Sequence, residues 1–139
     1  MARLWPAAHP AIRFPSLRVF SLWGEQVRMK TVLKLLFAFI FVFMVVLTVR
    51  TSLRVSLWAA IPAFAANPWA VATLYDAYFG FLTFFCWVAW RERSLGIKVL
   101  WFVLIMALGN IAMSAYVLLQ LFGLKREQGV SSLFEQKAR

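Results

Sequence analysis

Three long apolar runs separated by short basic stretches set the pattern of this chain. The first runs from Leu33 to Val49, with no charge between Lys34 and Arg50. Phe37, Phe39, Phe41 and Phe43 alternate within it, which alone would read as a strand. The residues between them are equally apolar, and a lone strand cannot satisfy its backbone in lipid, so the run predicts a helix over about 33–50. That is near the short end of the roughly 17–25 residues of a membrane span, and Lys34 and Arg50 can lengthen it by snorkelling. A cleaved signal peptide is the alternative. The cleavage-like Ala63-Phe64-Ala65 lies too far beyond the apolar core, which favours a signal anchor.

Residues 50–67 are apolar but interrupted by Pro62, with Arg50 and Arg54 near their start, and read as an interfacial connector. The second run opens at Pro68-Trp69, where proline suits a first helical turn, and predicts a span over about 68–90. Arg91 to Gly96 are too few for anything but an antiparallel return. The third run predicts a span over about 97–124, closed by Lys125-Arg126, where a helix C-terminus favours positive charge. The expected fold is all-α: three transmembrane helices, the second and third forming an antiparallel hairpin. The expected divisions are a basic, proline-containing extension 1–28, a membrane domain 29–126 and a polar tail 127–139. In the tail, Ser132-Leu133-Phe134-Glu135 fits a capping box on a segment too short to hold a helix alone.

Composition agrees. Of 139 residues 63% are hydrophobic and 14% charged, and the mean hydropathy is +0.78. Soluble chains are roughly 45–50% apolar and about 25% charged, so a free soluble domain and a disordered chain are both excluded. The net charge of +10 would point to nucleic acid on a folded soluble surface. Here the basic groups flank apolar runs and read as anchors on anionic headgroups, with no nucleic-acid partner expected. Trp58, Trp69, Trp87, Trp90 and Trp101, with Arg50, Arg54, Arg91 and Arg93, are the expected interfacial anchors. Met29-Lys30-Thr31 has the form of a natural start. The arginine-rich stretch before it reads as an extension, a targeting segment or an interfacial arm carrying Trp5, Phe14, Phe20 and Trp23.

Orientation follows from the flanking charges. With three spans, Arg3, Arg13, Arg18, Arg28, Lys30, Lys34, Arg91, Arg93 and Lys98 stand on one side, and Arg50, Arg54, Lys125, Arg126, Lys137 and Arg139 on the other. The balance favours the N-terminus inside a cell inner membrane. It disappears if residues before Met29 are left out.

Candidate chemistry is sparse. The single cysteine, Cys86, and the single histidine, His9, give no disulfide and no metal or nucleophile–base set. Cys86 reads as packing, with a lipidated or reactive thiol as the alternative. Asp76 is the informative residue. It lies about 12 Å into the second span, where a carboxyl costs about 2.5–3.5 kcal/mol. Its helical face carries Thr73, Gly80, Ala72, Trp69, Thr83 and Trp87. In an antiparallel hairpin it would be level with Asn110 and Ser114, with Gly109 and Ala107 allowing close approach. The expectation is a polar contact of Asp76 with Asn110 or Ser114, helped by Tyr78 or Tyr116, with Arg50 as a second partner. It reads as a clasp between helices or as a proton or ligand site. Glu92 is expected to pair with Arg91, Arg93 or Lys98, and the phenylalanines of the first span are expected to face lipid.

Pro68-Trp69, Thr73-Leu74-Tyr75-Asp76-Ala77-Tyr78, Trp87-Val88-Ala89-Trp90-Arg91-Glu92, Leu100-Trp101, Gly109-Asn110 and Tyr116-Val117-Leu118-Leu119-Gln120-Leu121-Phe122 resemble the DUF1475 family over about residues 68–124. The resemblance implies a small multi-span membrane protein with no established activity. This chain has Asn110 where the family often has serine, and Gly80 where it often has asparagine, so a polar neighbour of Asp76 is lost. A fainter Asp-x-aromatic-x-Gly similarity is to carotenoid-modifying membrane proteins of the neoxanthin-synthase type.

The reading that results is a non-enzymatic accessory or scaffold component that packs in the bilayer against other membrane proteins or itself, with no cofactor. The alternatives are a transporter or binder of a proton or hydrophobic small molecule centred on Asp76, Asn110 and Ser114, and an enzyme acting on an isoprenoid.

Overall fold

The structure, a computed structural model, describes residues 17–125 and 128–136. The described residues are helical throughout, without strands. They form α1 (Leu17–Arg54), α2 (Leu57–Ala65), α3 (Pro68–Arg91), α4 (Leu95–Leu108), α5 (Asn110–Gly123) and a short 3-10 helix, Val130–Phe134. Two helices are long and apolar enough to cross a membrane: α1, through its stretch Gly24–Arg54, and α3. Of the expected interfacial arm, Trp5 and Phe14 lie outside the described residues, as does His9.

α1 begins well before the expected Leu33 and runs unbroken through the expected boundary at Met29. Its polar first half is held by other parts of the chain. Lys30 Nζ donates to the Lys125 carbonyl at 3.2 Å, and Gln26 Oε1 accepts from the Val130 amide at 3.2 Å. Further along, Leu33 and Phe37 pack beside Val117 and Leu121. Residue numbers rise along α1 as they fall along α5, so the two helices are antiparallel. Phe37 is therefore half-buried against α5 and not wholly the lipid-facing bulk expected of it, whereas Phe39 and Phe43 are exposed and stack at 5.8 Å.

α2 is capped by Ser56, whose side chain accepts from the Ala59 amide at 3.3 Å. α3 opens as expected at Pro68. Asn67 Oδ1 accepts from the amides of Trp69 and Ala70 at 3.0 and 3.3 Å, which satisfies two of the donors a helix start leaves open.

The expected third span is two helices of 14 residues each, divided at Gly109. Gly109 has φ 52° and ψ −124°, a conformation close to that of the first central residue of a type II′ turn, which glycine alone adopts easily. Its amide still closes α4 on the Ile105 carbonyl, and its carbonyl opens α5. The chain reverses there. In one straight helix Trp101 and Tyr116 would lie about 22 Å apart along the axis, yet their ring centroids are 4.9 Å apart. α4 and α5 are therefore the two arms of a tight hairpin. A Cβ on Gly109 would come within 2.6 Å of the Phe81 ring, so the hairpin tip sits against the middle of α3. Phe85 meets Phe102 at 4.9 Å, and α4 returns along α3 in antiparallel register.

The core lies where the hairpin meets α3: Val88, Ile105, Ala112 and Tyr116, surrounded by Phe81, Phe84, Trp87 and Trp101. Trp87 and Trp101, expected as interfacial anchors, pack into this core, while Trp58 and Trp69 stand exposed at 81% and 82%. Cys86, expected as packing, is exposed.

A buried polar cluster as the candidate functional site

The end of α3 and the last two turns of α5 bring four polar side chains together. Arg91 and Glu92 are only 6% and 2% exposed, and Tyr116 and Gln120 are buried with them. Two local facts build the site. Tyr116 and Gln120 are four apart on α5 and share one face. Arg91 closes α3 while Glu92, with extended φ and ψ, leaves it, so consecutive side chains project in different directions.

Glu92 Oε1 accepts from Tyr116 Oη at 2.9 Å and from Gln120 Nε2 at 3.3 Å. Arg91 Nε donates to Gln120 Oε1 at 3.3 Å, so Gln120 bridges acid and base. The outer end of the guanidinium reaches the C-terminal segment. Arg91 Nη1 lies 2.8, 2.5 and 2.7 Å from the carbonyls of Ser132, Leu133 and Glu135, its two N–H groups shared among the three acceptors. The planar, always-charged guanidinium serves two sides at once, Gln120 through Nε and the C-terminal segment through Nη1, which the single nitrogen of a lysine could not reproduce. Bonds to charged groups are worth about 1.5–3 kcal/mol each, and a buried ion that loses its partners costs about 3–5 kcal/mol. The cluster is therefore a clasp that ties α3, α5 and the C-terminal segment together. The segment is the 3-10 helix it secures, with Leu133 buried beneath it. The expected capping box is absent: Ser132 Oγ donates back to the Gly129 carbonyl, and Glu135 lies past the C-terminal end.

Two cavities adjoin the clasp. One, of about 390 Å³, is wholly apolar and lies between α1, α3, α5 and the 3-10 helix, lined by Leu33, Phe37, Phe84, Trp87, Val117, Val130, Leu133 and Phe134. The other, of about 270 Å³, is polar and is bordered by Arg91, Gln120, Gln128, Ser132 and Glu135. Trp87 Nε1 is buried beside the core without an acceptor among the described residues.

The residues expected to form a site around Asp76 are not brought together. Asp76 is exposed and makes no hydrogen bond or ion pair among the described residues. The hairpin explains this. Its tip at Gly109 is level with Phe81, about 7.5 Å short of Asp76 along α3, so no part of the third apolar run reaches the carboxyl. Ser114 is buried and donates to the carbonyls of Asn110 and Ile111 at 2.6 and 3.1 Å, within its own helix. Asn110 is exposed at the hairpin tip. Thr73 Oγ1 donates to the Trp69 carbonyl at 2.8 Å, and Tyr78 packs edge-on against Phe81 at 5.6 Å. Arg50, the second expected partner, is exposed on α1. Arg54, Arg93 and Trp90 are exposed, whereas Arg91, expected as an anchor, is spent inside the clasp.

The sequence signal for the clasp was present in the Trp90-Arg91-Glu92 step and the Tyr116–Gln120 spacing. What hid it is that Arg91 and Glu92 sit in a connector, where charge is ordinarily solvated.

The model of the DUF1475 family, described as a protein of unknown function, matches residues 25–134. The chain belongs to this family. No curated protein and no solved structure matches it. The DUF1475 match is wider than the 68–124 over which the resemblance is legible in the residues. It takes in α1 from just before Gln26 and the C-terminal segment through Phe134, and so covers Arg91, Glu92, Tyr116 and Gln120 with most of what they hold.

Proposed function

We propose that this DUF1475 protein is an integral membrane scaffold: α1 and α3 cross the bilayer, and the α4–α5 hairpin enters from one face and returns to it. The observation that carries this reading is an inside-out arrangement. Arg91, Glu92, Ser114 and Gln120 are buried, while Leu35, Phe39, Phe79, Val103 and many other large apolar side chains are exposed on α1, α3 and α4. Soluble proteins do not expose contiguous apolar surface on that scale. At about 21 Å each, α4 and α5 are too short for a hydrocarbon core of about 30 Å, which favours re-entry over a third crossing.

A second feature supports an accessory role. The α3 face of Ala72, Thr73, Asp76 and Gly80 is exposed, small and polar, the composition of a helix–helix contact within a bilayer. A carboxyl there costs about 2.5–3.5 kcal/mol until a neighbour accepts it. The partner is another membrane protein or a second copy.

The test has two arms. Single cysteines at Ser94, Ser131 and Ser52, in a Cys86→Ser background, are labelled from each side of an intact membrane. Ser94 and Ser131 are expected on one side and Ser52 on the other. Labelling of Ser131 with Ser52 would restore three crossings. In mild detergent, Asp76→Leu is expected to lose co-purifying chains that Asp76→Asn retains, and full retention by both would remove the scaffold reading.

The 390 Å³ apolar cavity favours one second reading, a binder of a hydrophobic small molecule seated there and not at Asp76. A hydrocarbon-chain ligand retained through purification and lost in Trp87→Ala would establish it. Retention of the same ligand in that variant would remove it.

A further inference from the structure

We propose that the groove between α1 and α5, at the end of the fold that carries the clasp, binds the headgroup of an anionic phospholipid. The inference rests on the membrane reading above and adds a ligand to it. The groove encloses about 450 Å³ and is lined by Val27, Lys30, Thr31, Lys34, Leu121, Leu124 and Lys125. Three lysines thus border one cavity, and no acidic side chain among the described residues lines it.

Two of the lysines are held by contacts of their ammonium groups. Lys30 Nζ is fixed on the Lys125 carbonyl at the end of α5, and Lys34 Nζ stands 4.7 Å over the Phe122 ring. Lys34 and Lys30 are four apart on α1, one turn above each other on the face that meets α5. This places ammonium groups around the mouth of the groove before any ligand arrives, and lysine is a point-charge binder of phosphate.

The remaining walls select a lipid over a free anion. Val27, Leu121 and Leu124 make most of the remaining lining apolar, the Thr31 hydroxyl donating to the Val27 carbonyl, and along α5 the exposed Phe122 and Leu119 continue that surface away from the charged end. A phosphate at the lysines would leave its acyl chain lying on this strip. Basic pockets between helices at the anionic leaflet bind headgroups in this way.

The charge is also localised at the expected end. Arg28, Lys30, Lys34, Arg91, Arg93, Lys98 and Lys125 stand at the clasp end, against Arg50 and Arg54 at the other. That asymmetry directs the clasp end to the inner leaflet, where anionic lipid is presented.

The experiment titrates the purified protein, in neutral detergent, with phosphatidylglycerol, with phosphatidylcholine and with inorganic phosphate, and reads thermal stabilisation. Phosphatidylglycerol is expected to stabilise in a saturable manner, and the other two are not. Lys34→Gln and Lys125→Gln are each expected to weaken binding about five-fold, and together about 25-fold, while Lys98→Gln at the same end leaves it within two-fold. Equal weakening by Lys98→Gln would replace the groove with a diffuse field and overturn the proposal. Equal stabilisation by inorganic phosphate would overturn the lipid assignment. Membrane partition, followed separately by alkaline extraction, distinguishes the two readings: a chain that stays in the membrane without discriminating the lipids refutes the groove alone, and a chain that is extracted refutes the scaffold.

Discussion

Replacing Arg91 with Met keeps an apolar stem of similar length and removes its hydrogen bonds to four acceptors. Three of these are the carbonyls of Ser132, Leu133 and Glu135 at 2.5–2.8 Å, and the fourth is Gln120 at 3.3 Å. At about 1.5–3 kcal/mol for each bond to a charged group the gross loss is large, but the carbonyls of Ser132 and Glu135 lie in partly buried bonds and regain water when the segment lifts. A net loss of about 3 kcal/mol in docking of the 3-10 helix is the expected result, or a little over 100-fold in its open population. Amide hydrogen exchange reads this directly. The Val130 amide donates to Gln26, the Ser132 amide to Gly129 and the Glu135 amide to Ser132. Protection at these three should fall about 100-fold, while amides in the middle of α3 and α5 change far less. Arg93→Met, at an exposed neighbour, should change nothing. If protection at the three amides is retained in Arg91→Met, the guanidinium does not hold the segment. If the amides of α3 and α5 are lost together with them, it holds the helices and the clasp has been assigned to the wrong elements.

Gly109→Ala should destabilise by about 2–4 kcal/mol in detergent unfolding, the sum of a strained positive φ and a Cβ driven into the Phe81 ring. Adding Phe81→Ala should relieve the contact but not the backbone strain, so the double variant should not regain what a straight α4–α5 helix would allow. Tyr116→Phe removes the 2.9 Å donor to Glu92 and should cost about 1.5–3 kcal/mol. Asn67→Ala should cost about 1 kcal/mol through loss of the α3 cap, seen as fraying at Trp69 and Ala70 in hydrogen exchange with the core unaffected.

The helical class and the start of α3 were legible because they rest on local features: an uninterrupted apolar run, and proline following a capping asparagine. The early start of α1 was not. Gly24 to Arg28 read as part of a basic extension in sequence, and only the distant contacts of Gln26 and Lys30 with the C-terminal segment and the end of α5 tie this part of the helix to the fold. The break at Gly109 was hidden for a related reason. A glycine in an apolar run reads equally as a close-packing residue, and what decides between packing and reversal is the backbone conformation beside Phe81, which no spacing encodes.

That one residue also accounts for the fate of the expected site and for the distribution of charge. With residues 97–124 as a single rod, Asp76 would face Asn110 and Ser114, and Lys125 would lie across the bilayer from Lys30. Folding the run at Gly109 withdraws both polar residues below the level of Asp76 and brings Lys125 to within 3.2 Å of Lys30. Two consequences then belong together. The carboxyl is left on an uncovered helix face, which is tolerable in a bilayer only if another chain covers it. The basic residues of the connector, of α1 and of the end of α5 collect at one end, so the modest charge bias of three crossings would become a strong one for the two crossings proposed above. On the membrane reading proposed above, an acid with no partner among the described residues and positive charge gathered at one end leave the protein to be positioned by what surrounds it.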